Sequence, residues 1–274
     1  MELSDSEFLR ISSYVAQHFG IVLKAEKKEL VKSRLSRRIQ ELGYDSYRKY
    51  FDFCTSKDGE QELIEMMNAL STNLTFFYRE EKHFHYLREM VLPEVIKLNR
   101  GESFQFRGWC TAASSGEEPY TIAIEVLKGL EDAAGWDFKL LATDISTKVL
   151  DIAKRGIYTR EKLEKIDPLL LSKYFQKGKG RAKDHYRIKP MIREHILFNY
   201  LNLVQPFPIH QPLDFIFCRN VMIYFDQPTR QQIIDRFVRL LKPGGHLFMG
   251  MSEGLSGIQH SLSYVQPSIY RKMS

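Results

Sequence analysis

The sequence predicts an α/β protein, a doubly wound and mostly parallel sheet preceded by a small all-helical unit. Three observations predict it. No strand-like alternation occurs before Phe104, and the first 72 residues show helically spaced apolar positions punctuated by Gly20, Gly43 and Gly59. From about residue 100 the pattern changes to alternating strands and helices. The apolar run Phe215-Ile-Phe217 leads straight into Cys-Arg-Asn, as a strand buried on both faces does when it delivers polar groups to the crevice beyond its carboxyl end.

The helices of the first unit, residues 1–72, are expected over 4–18, 25–42, 46–54 and 61–70, the first opening with the capping box Ser4-x-x-Glu7. A further helix over 80–98 leads into the second unit, residues 73–274. Its first strand, 104–110, is followed by a loop of small residues, 111–117, and by a helix that opens at Glu118-Pro119 and runs to Leu130. Proline in a first helical turn forfeits no hydrogen bond. Small residues there let backbone N–H groups approach a ligand, but the loop is not G-x-G-x-x-G. A nucleoside ligand without a pyrophosphate therefore fits better than a nicotinamide or flavin cofactor. The second strand, 138–143, ends in Asp144, where a nucleotide-binding fold places an acid on ribose hydroxyls. The alternative for Asp144 is the N-cap of a helix over 146–155. Short alternating stretches between about 170 and 203, separated by Gly178 and Gly180, predict a small antiparallel subdomain that includes 196–200. After strand 214–217 come a helix over 229–241, a Lys242-Pro-Gly-Gly245 turn, a strand over 246–251 and a last antiparallel strand over 263–271.

Composition narrows the function classes. The chain has 274 residues, 43% of them hydrophobic, which suits a large core plus a smaller domain. No apolar run approaches the roughly 20 residues of a membrane span, and the polar start lacks the order of a signal peptide, so a cytoplasmic protein is expected. Cys54, Cys110 and Cys218 are widely spaced and form no C-x-x-C pair, and His83 and His85 stand at i, i+2 on a helix. No disulfide and no metal is predicted. The net charge of +6 is concentrated early, where Lys27, Arg34, Arg37 and Arg38 adjoin an apolar stripe of Val31, Leu35, Ile39 and Leu42. That sector is either a solvated face or a docking surface for something acidic.

The last helix, Pro-Gly-Gly turn and closing hairpin resemble those of S-adenosylmethionine-dependent methyltransferases. The resemblance becomes closer in Asn73-Leu-Thr-Phe-Phe-Tyr-Arg79, Ser115-Gly-Glu-Glu-Pro-Tyr120, Ala142-Thr-Asp-Ile145, Cys218-Arg-Asn-Val-Met-Ile-Tyr-Phe225 and Leu241-Lys-Pro-Gly-Gly245. Together, and nearly end to end, these resemble the bacterial CheR-type chemotaxis receptor methyltransferases. The resemblance implies a Rossmann-like methyltransferase sheet whose cofactor is S-adenosylmethionine and whose product is S-adenosylhomocysteine. It implies that Asn73, Thr75, Arg79, Glu118, Asp144, Asn202, Leu203, Arg219 and Asn220 line the cofactor site, with Arg219 and Tyr224 nearest the methyl. Asp144 would accept both ribose hydroxyls, Glu118 the ammonium, Arg79 would pair with the ligand carboxylate and Asn202 with the adenine edge. Taken singly, Asn73 and Thr75 also read as helix caps, Asn202 as a turn residue and Arg219 as the partner of a nearby carboxylate. The implied substrate is the γ-carboxylate of glutamates on the cytoplasmic helical bundle of methyl-accepting chemoreceptors, with Lys27, Arg34, Arg37 and Arg38 steering it. Neither nucleic acid nor membrane insertion is expected, and the protein would act as a monomer. In some members an insertion docks a receptor peptide, but Arg181-Ala-Lys-Asp-His185 departs from the glycine-rich turn found there. Two other readings stay open: a nucleic-acid methyltransferase, against which Arg219-Asn-Val-Met222 stands in place of Asn/Asp-Pro-Pro-aromatic, and a binding module without activity.

Overall fold

The computed structural model describes residues 1–98, 104–131 and 135–273; residues 99–103, 132–134 and 274 of the expected second domain lie outside it. Helix α1 (Asp5–Phe19) opens with the expected capping box and ends at Gly20, φ 71°. A Cβ at Gly20 would lie 2.5 Å from Val204 Cγ1 and 3.0 Å from Phe225, so glycine serves both the left-handed cap and the close approach to the second domain. A 3₁₀ turn (Ala25–Lys27) precedes α2 (Lys28–Glu41), followed by α3 (Tyr47–Cys54) and α4 (Glu60–Leu70). Val31, Leu35 and Ile39 are fully buried, but Leu42, expected on the same stripe, is 46% exposed because the helix ends at Glu41.

The single helix expected over 80–98 is broken into α5 (Lys82–Tyr86), a π turn (Leu87–Val91) and α6 (Leu92–Leu98). Pro93 explains the break. It has no N–H for the carbonyl of Glu89, and the turn before it widens so that Leu92 N–H reaches back to Leu87.

The second domain then runs β1 (Gln105–Cys110), α7 (Glu117–Gly129), β2 (Asp137–Asp144), α8 (Thr147–Arg155), β3 (Ile157–Thr159), α9 (Pro168–Tyr174), β4 (Phe175–Lys177), β5 (His185–Ile188), α10 (Pro190–Arg193), β6 (Ile196–Tyr200), β7 (Leu213–Cys218), α11 (Gln227–Leu240), β8 (Leu241–Met249), β9 (Leu262–Gln266) and β10 (Ile269–Lys272). The main sheet has the order β6-β2-β1-β7-β8-β10-β9; its first five strands are parallel, and β10 and β9 are antiparallel. Apolar cores cover both faces, and every residue of β7 is buried. Strand order reverses between β1 and β7, the switch point where such sheets bind ligands.

Three expectations need correction. Residues 196–200 belong to the main sheet, paired in parallel with β2, while the small sheet is β3-β5-β4 and begins at Ile157. Strand β6 is an edge strand with one solvated face, so its alternation imitates an antiparallel hairpin. Lys242-Pro-Gly-Gly245 is a bulge within β8: the register steps from Leu213 opposite Leu241 to Phe215 opposite His246. Residues 263–271 form two strands, which turn at Pro267-Ser268.

His83 and His246 are buried, and both ring nitrogens of His83 and Nδ1 of His246 lack a hydrogen-bond partner among the described residues. Burial pushes both imidazoles down to about 4, helped by Arg219 beside His83 and Arg271 beside His246. Between pH 6.5 and 4 the unfolded chain therefore takes up protons that the native chain refuses, so stability is lost on acidification, by up to about 3 kcal/mol per histidine. Urea melts at pH 7 and pH 4.5 should show a smaller pH dependence in His246→Phe than in the parent. An unchanged difference would rule out this contribution.

Candidate active site

A cleft of about 360 Å³ lies at the carboxyl ends of β1, β2 and β7 and is closed from the other side by the helical domain. Asn73, Thr75, Arg79, Glu118, Asp144, Asn202, Leu203, Arg219, Asn220 and Tyr224 all line it, and so does Lys27. Folding thus brings together residues spread over some 200 positions of sequence.

One end is built around Asp144. Its Oδ2 accepts the N–H of Ser114 at 2.8 Å and its Oδ1 the N–H of Ser146 at 2.9 Å. A carboxylate has about four acceptor positions, so these N–H groups leave capacity for a ribose hydroxyl. Burial pushes the Asp144 carboxyl up, against the pull of those backbone N–H groups. Ser146 is the N-cap of α8, which removes the capping alternative for Asp144. Asn68 of α4 accepts from Ser146 Oγ at 2.7 Å and donates to Thr147 Oγ1 at 3.0 Å, so the helical domain holds the turn that follows Asp144. Gly116, at φ 100°, starts α7; a Cβ there would lie 2.7 Å from Tyr158 Oη and 2.9 Å from Ala153.

The other end is built around Arg219, whose side chain is fully buried. It donates to Glu118 Oε2 at 2.7 Å, to Glu80 Oε2 at 3.3 Å from Nε, and to the carbonyl of Arg79. Glu118 also accepts from Cys110 Sγ at 3.3 Å. Burial pushes Glu118 up, and the Arg219 guanidinium opposes that shift. Arg79 differs from Arg219: among the described residues no carboxylate holds its guanidinium, which donates to the carbonyl of Leu74 at 2.9 Å. Below Tyr224, Glu253 gathers the N–H groups of Asn220, Ile223 and Gly250 at 2.6, 3.2 and 3.0 Å, which fixes the loop after β7.

Backbone strain collects here. Of the five non-glycine residues with positive φ among the described residues, Tyr78 and Glu80 flank Arg79, Ser114 serves Asp144, and Asn220 follows Arg219. Such conformations cost about 1–3 kcal/mol each and persist only where the surroundings impose them.

Other candidates carry structural contacts. Asn202 donates to the carbonyl of His18 at 2.9 Å and accepts from Val204 N–H at 3.2 Å, so part of its amide serves the domain junction and its own turn. Asn73 and Thr75 lie in a segment without regular structure, so neither caps a helix. Glu80, Glu253 and Asn68 were missed by sequence reasoning. Glu80 directly follows the Asn73–Arg79 motif, whereas nothing in the sequence singles out Glu253 or Asn68.

The family model described as "CheR methyltransferase, SAM binding domain" matches residues 73–270, and that described as "CheR methyltransferase, all-alpha domain" matches residues 6–71. The chain belongs to the CheR methyltransferase family. It is 40% identical over 92% of its length to a "Probable chemotaxis protein methyltransferase" of Rhizobium etli, covering 94% of that protein. It is 40% identical over 98% of its length to the "Chemotaxis protein methyltransferase" of Escherichia coli, covering 92% of that protein, and 36% identical over 99% to that of Borreliella burgdorferi, covering 96%. This CheR-family protein is an S-adenosylmethionine-dependent methyltransferase, and its cofactor is S-adenosylmethionine. The cleft suits that donor: Asp144 has acceptor capacity left for a ribose hydroxyl, and Glu118 offers a carboxylate to the ammonium.

The basic sector of α2 is less uniform than its sequence suggests. Arg38 is paired with Glu62, Nη2 to Oε2 at 2.5 Å, and Arg34 donates to the carbonyls of Leu70 and Ser71 at 2.6 and 3.1 Å. Both hold the fold of the helical domain and its exit. Arg37, its side chain 88% exposed, and Lys27, at the cleft, are turned outward.

Proposed function

We propose that this methyltransferase acts on the γ-carboxylate of glutamates in the cytoplasmic helical bundle of chemoreceptors, forming methyl esters. The observation that carries the reading is that one cleft is lined by two carboxylates, Asp144 and Glu118, and by Arg79 and Tyr224, whose polar groups are left for a further partner. The carboxylates suit a donor with a ribose, an ammonium and a sulfonium; Arg79 and Tyr224 suit an anionic acceptor.

A carboxylate oxygen attacks the methyl carbon, the carbon–sulfur bond breaks with its electron pair going to sulfur, and the products are an ester and a neutral thioether. No proton moves. A glutamate with an ordinary pKa of about 4.3 is already ionised at neutral pH and needs no general base. The protein's task is in-line positioning and keeping the acceptor ionised as water is stripped from it. Arg219 was the first choice for that task, but two carboxylates already hold it. We assign the role to Arg79, in place of the donor carboxylate that the resemblance gave it, with the Tyr224 hydroxyl orienting the acceptor and Arg219 holding Glu118 in place for the donor. Lys27 and Arg37 steer the acidic receptor bundle toward the cleft. Among the described residues no helix is long and apolar enough to cross a membrane, and we place the protein in the cytoplasm as a monomer. The inward commitment of Arg34 and Arg38 weighs against a helix that grips nucleic-acid phosphates.

Labelled S-adenosylmethionine should give a base-labile label on a receptor cytoplasmic fragment; a stable label on RNA and none on the fragment would overturn the reading. Arg79→Ala should lower kcat/KM for the fragment about 100-fold, the loss of one charge-assisted contact made at the reacting carboxylate, with little change in melting temperature.

A further inference from the structure

Deep in the cleft two carboxylates, Glu118 and Asp144, stand with one guanidinium, that of Arg219. That guanidinium is already held by Glu118 and, from outside the lining, by Glu80. These carboxylates favour a cationic donor and oppose the entry of another carboxylate. Attraction for the acceptor has to come from the mouth.

At the mouth stands Phe76, 38% exposed, next to the Thr75 that lines the cleft. Its ring has two cations over it: the guanidinium carbon of Arg79 at 5.8 Å from the centroid and Nζ of Lys165 at 4.8 Å. Both are within cation–π range. Neither has a carboxylate at ion-pair distance among the described residues, whereas neighbouring Lys162 is held by Glu117 at 2.5 Å. Lys165 comes from the connection between β3 and α9, so the contact joins the small antiparallel unit to the segment that carries Arg79.

We infer that Phe76, Arg79 and Lys165 form a second anion subsite at the cleft mouth, selective for an acceptor helix that carries another carboxylate one or two turns from the glutamate being methylated. The inference rests on the methyl-transfer reading above. One ring between the two cations sets them no more than about two helical turns apart, a turn rising about 5.4 Å. Arg79, inside the cleft, meets the reacting carboxylate; Lys165, outside it, meets the neighbour. Phe76 is the positioning residue, because its ring holds two long, otherwise mobile cationic side chains at a limited separation. Lys165 thereby reads acceptor sequence without touching the reacting atoms.

The test uses the full-length protein, labelled S-adenosylmethionine, and two receptor cytoplasmic fragments: the parent, and one in which the acidic residues within two turns of the acceptor glutamate are changed to glutamine. The parent fragment should show the lower KM. Lys165→Ala should raise KM for the parent fragment about 2- to 5-fold, the range of one exposed charge contact, and shrink the difference between the fragments. Phe76→Leu should act in the same direction, Phe76→Tyr should restore the parent behaviour, and Lys183→Ala, an exposed lysine elsewhere in the insertion, should change neither constant. If Lys165→Ala leaves the ratio of the two KM values as it is in the parent protein, the subsite is overturned and the methyl-transfer reading stands. If the parent protein forms no base-labile ester on either fragment, both are overturned.

Discussion

Replacing Arg219 with alanine should destabilise the protein by about 3–5 kcal/mol, the usual result of removing one partner from a buried ion pair. The reason lies in what stays behind. Glu118 and Glu80 lose the guanidinium that holds them at 2.7 and 3.1 Å, and Glu118, 8% exposed, is left largely desolvated. The burial that already pushes Glu118 up then acts without its main opposing charge, and the carboxyl is expected to protonate. Activity should fall as well, but as a consequence of lost structure. The sequence left Arg219 either beside the methyl or paired with a nearby carboxylate; its ion pairs to Glu118 and Glu80 put the larger expected effect on stability. Urea denaturation of Arg219→Ala beside Arg219→Lys and the double variant Arg219→Ala/Glu80→Gln measures this. The double variant should recover part of the loss, because one stranded carboxylate has been neutralised. A melt of Arg219→Ala that overlays the parent would show that the ion pairs contribute nothing to stability.

Asp144→Asn should weaken S-adenosylhomocysteine binding about 100-fold, roughly the loss of a charge-assisted hydrogen bond to a ribose hydroxyl. The substitution is nearly isosteric but cannot satisfy both sides. Ser114 and Ser146 each aim an N–H at one side-chain oxygen of Asp144, so an amide must turn its NH₂ against one of these donors. The effect has a pH signature. Burial raises the Asp144 carboxyl, so in the parent protein ligand affinity should fall on acidification at a higher pH than an ordinary aspartate would dictate. In Asp144→Asn that part of the dependence should vanish. Calorimetric titration at several pH values reads both effects, and an unaltered Kd in the variant would remove Asp144 from the donor site.

Much of the fold was legible because its signals are local. Helical periodicity, the Ser4-x-x-Glu7 box, the apolar run Phe215–Phe217 and the small-residue loop before Glu118 each depend on near neighbours, and each was placed in its correct element. The errors share a cause as well. The π turn before Pro93, the bulge at Pro243-Gly-Gly245 and the membership of Ile196–Tyr200 in the main sheet depend on what lies across the space between elements. A parallel edge strand and an antiparallel hairpin strand show the same alternation, so pattern cannot tell them apart.

The sequence by itself determined the composition of the cleft: Asp144, Glu118, Arg79, Arg219, Asn220 and Tyr224 were all named before any contact was known, and all line one cavity. Only the tertiary structure decided how charge is shared among them. It buried Arg219 between Glu118 and Glu80, left Arg79 without a carboxylate among the described residues, and turned Arg34 and Arg38 inward. The physical reason is that a residue type announces what a side chain can bond to, whereas the partner it meets, and the water it loses on meeting it, are set by chain segments far away in sequence.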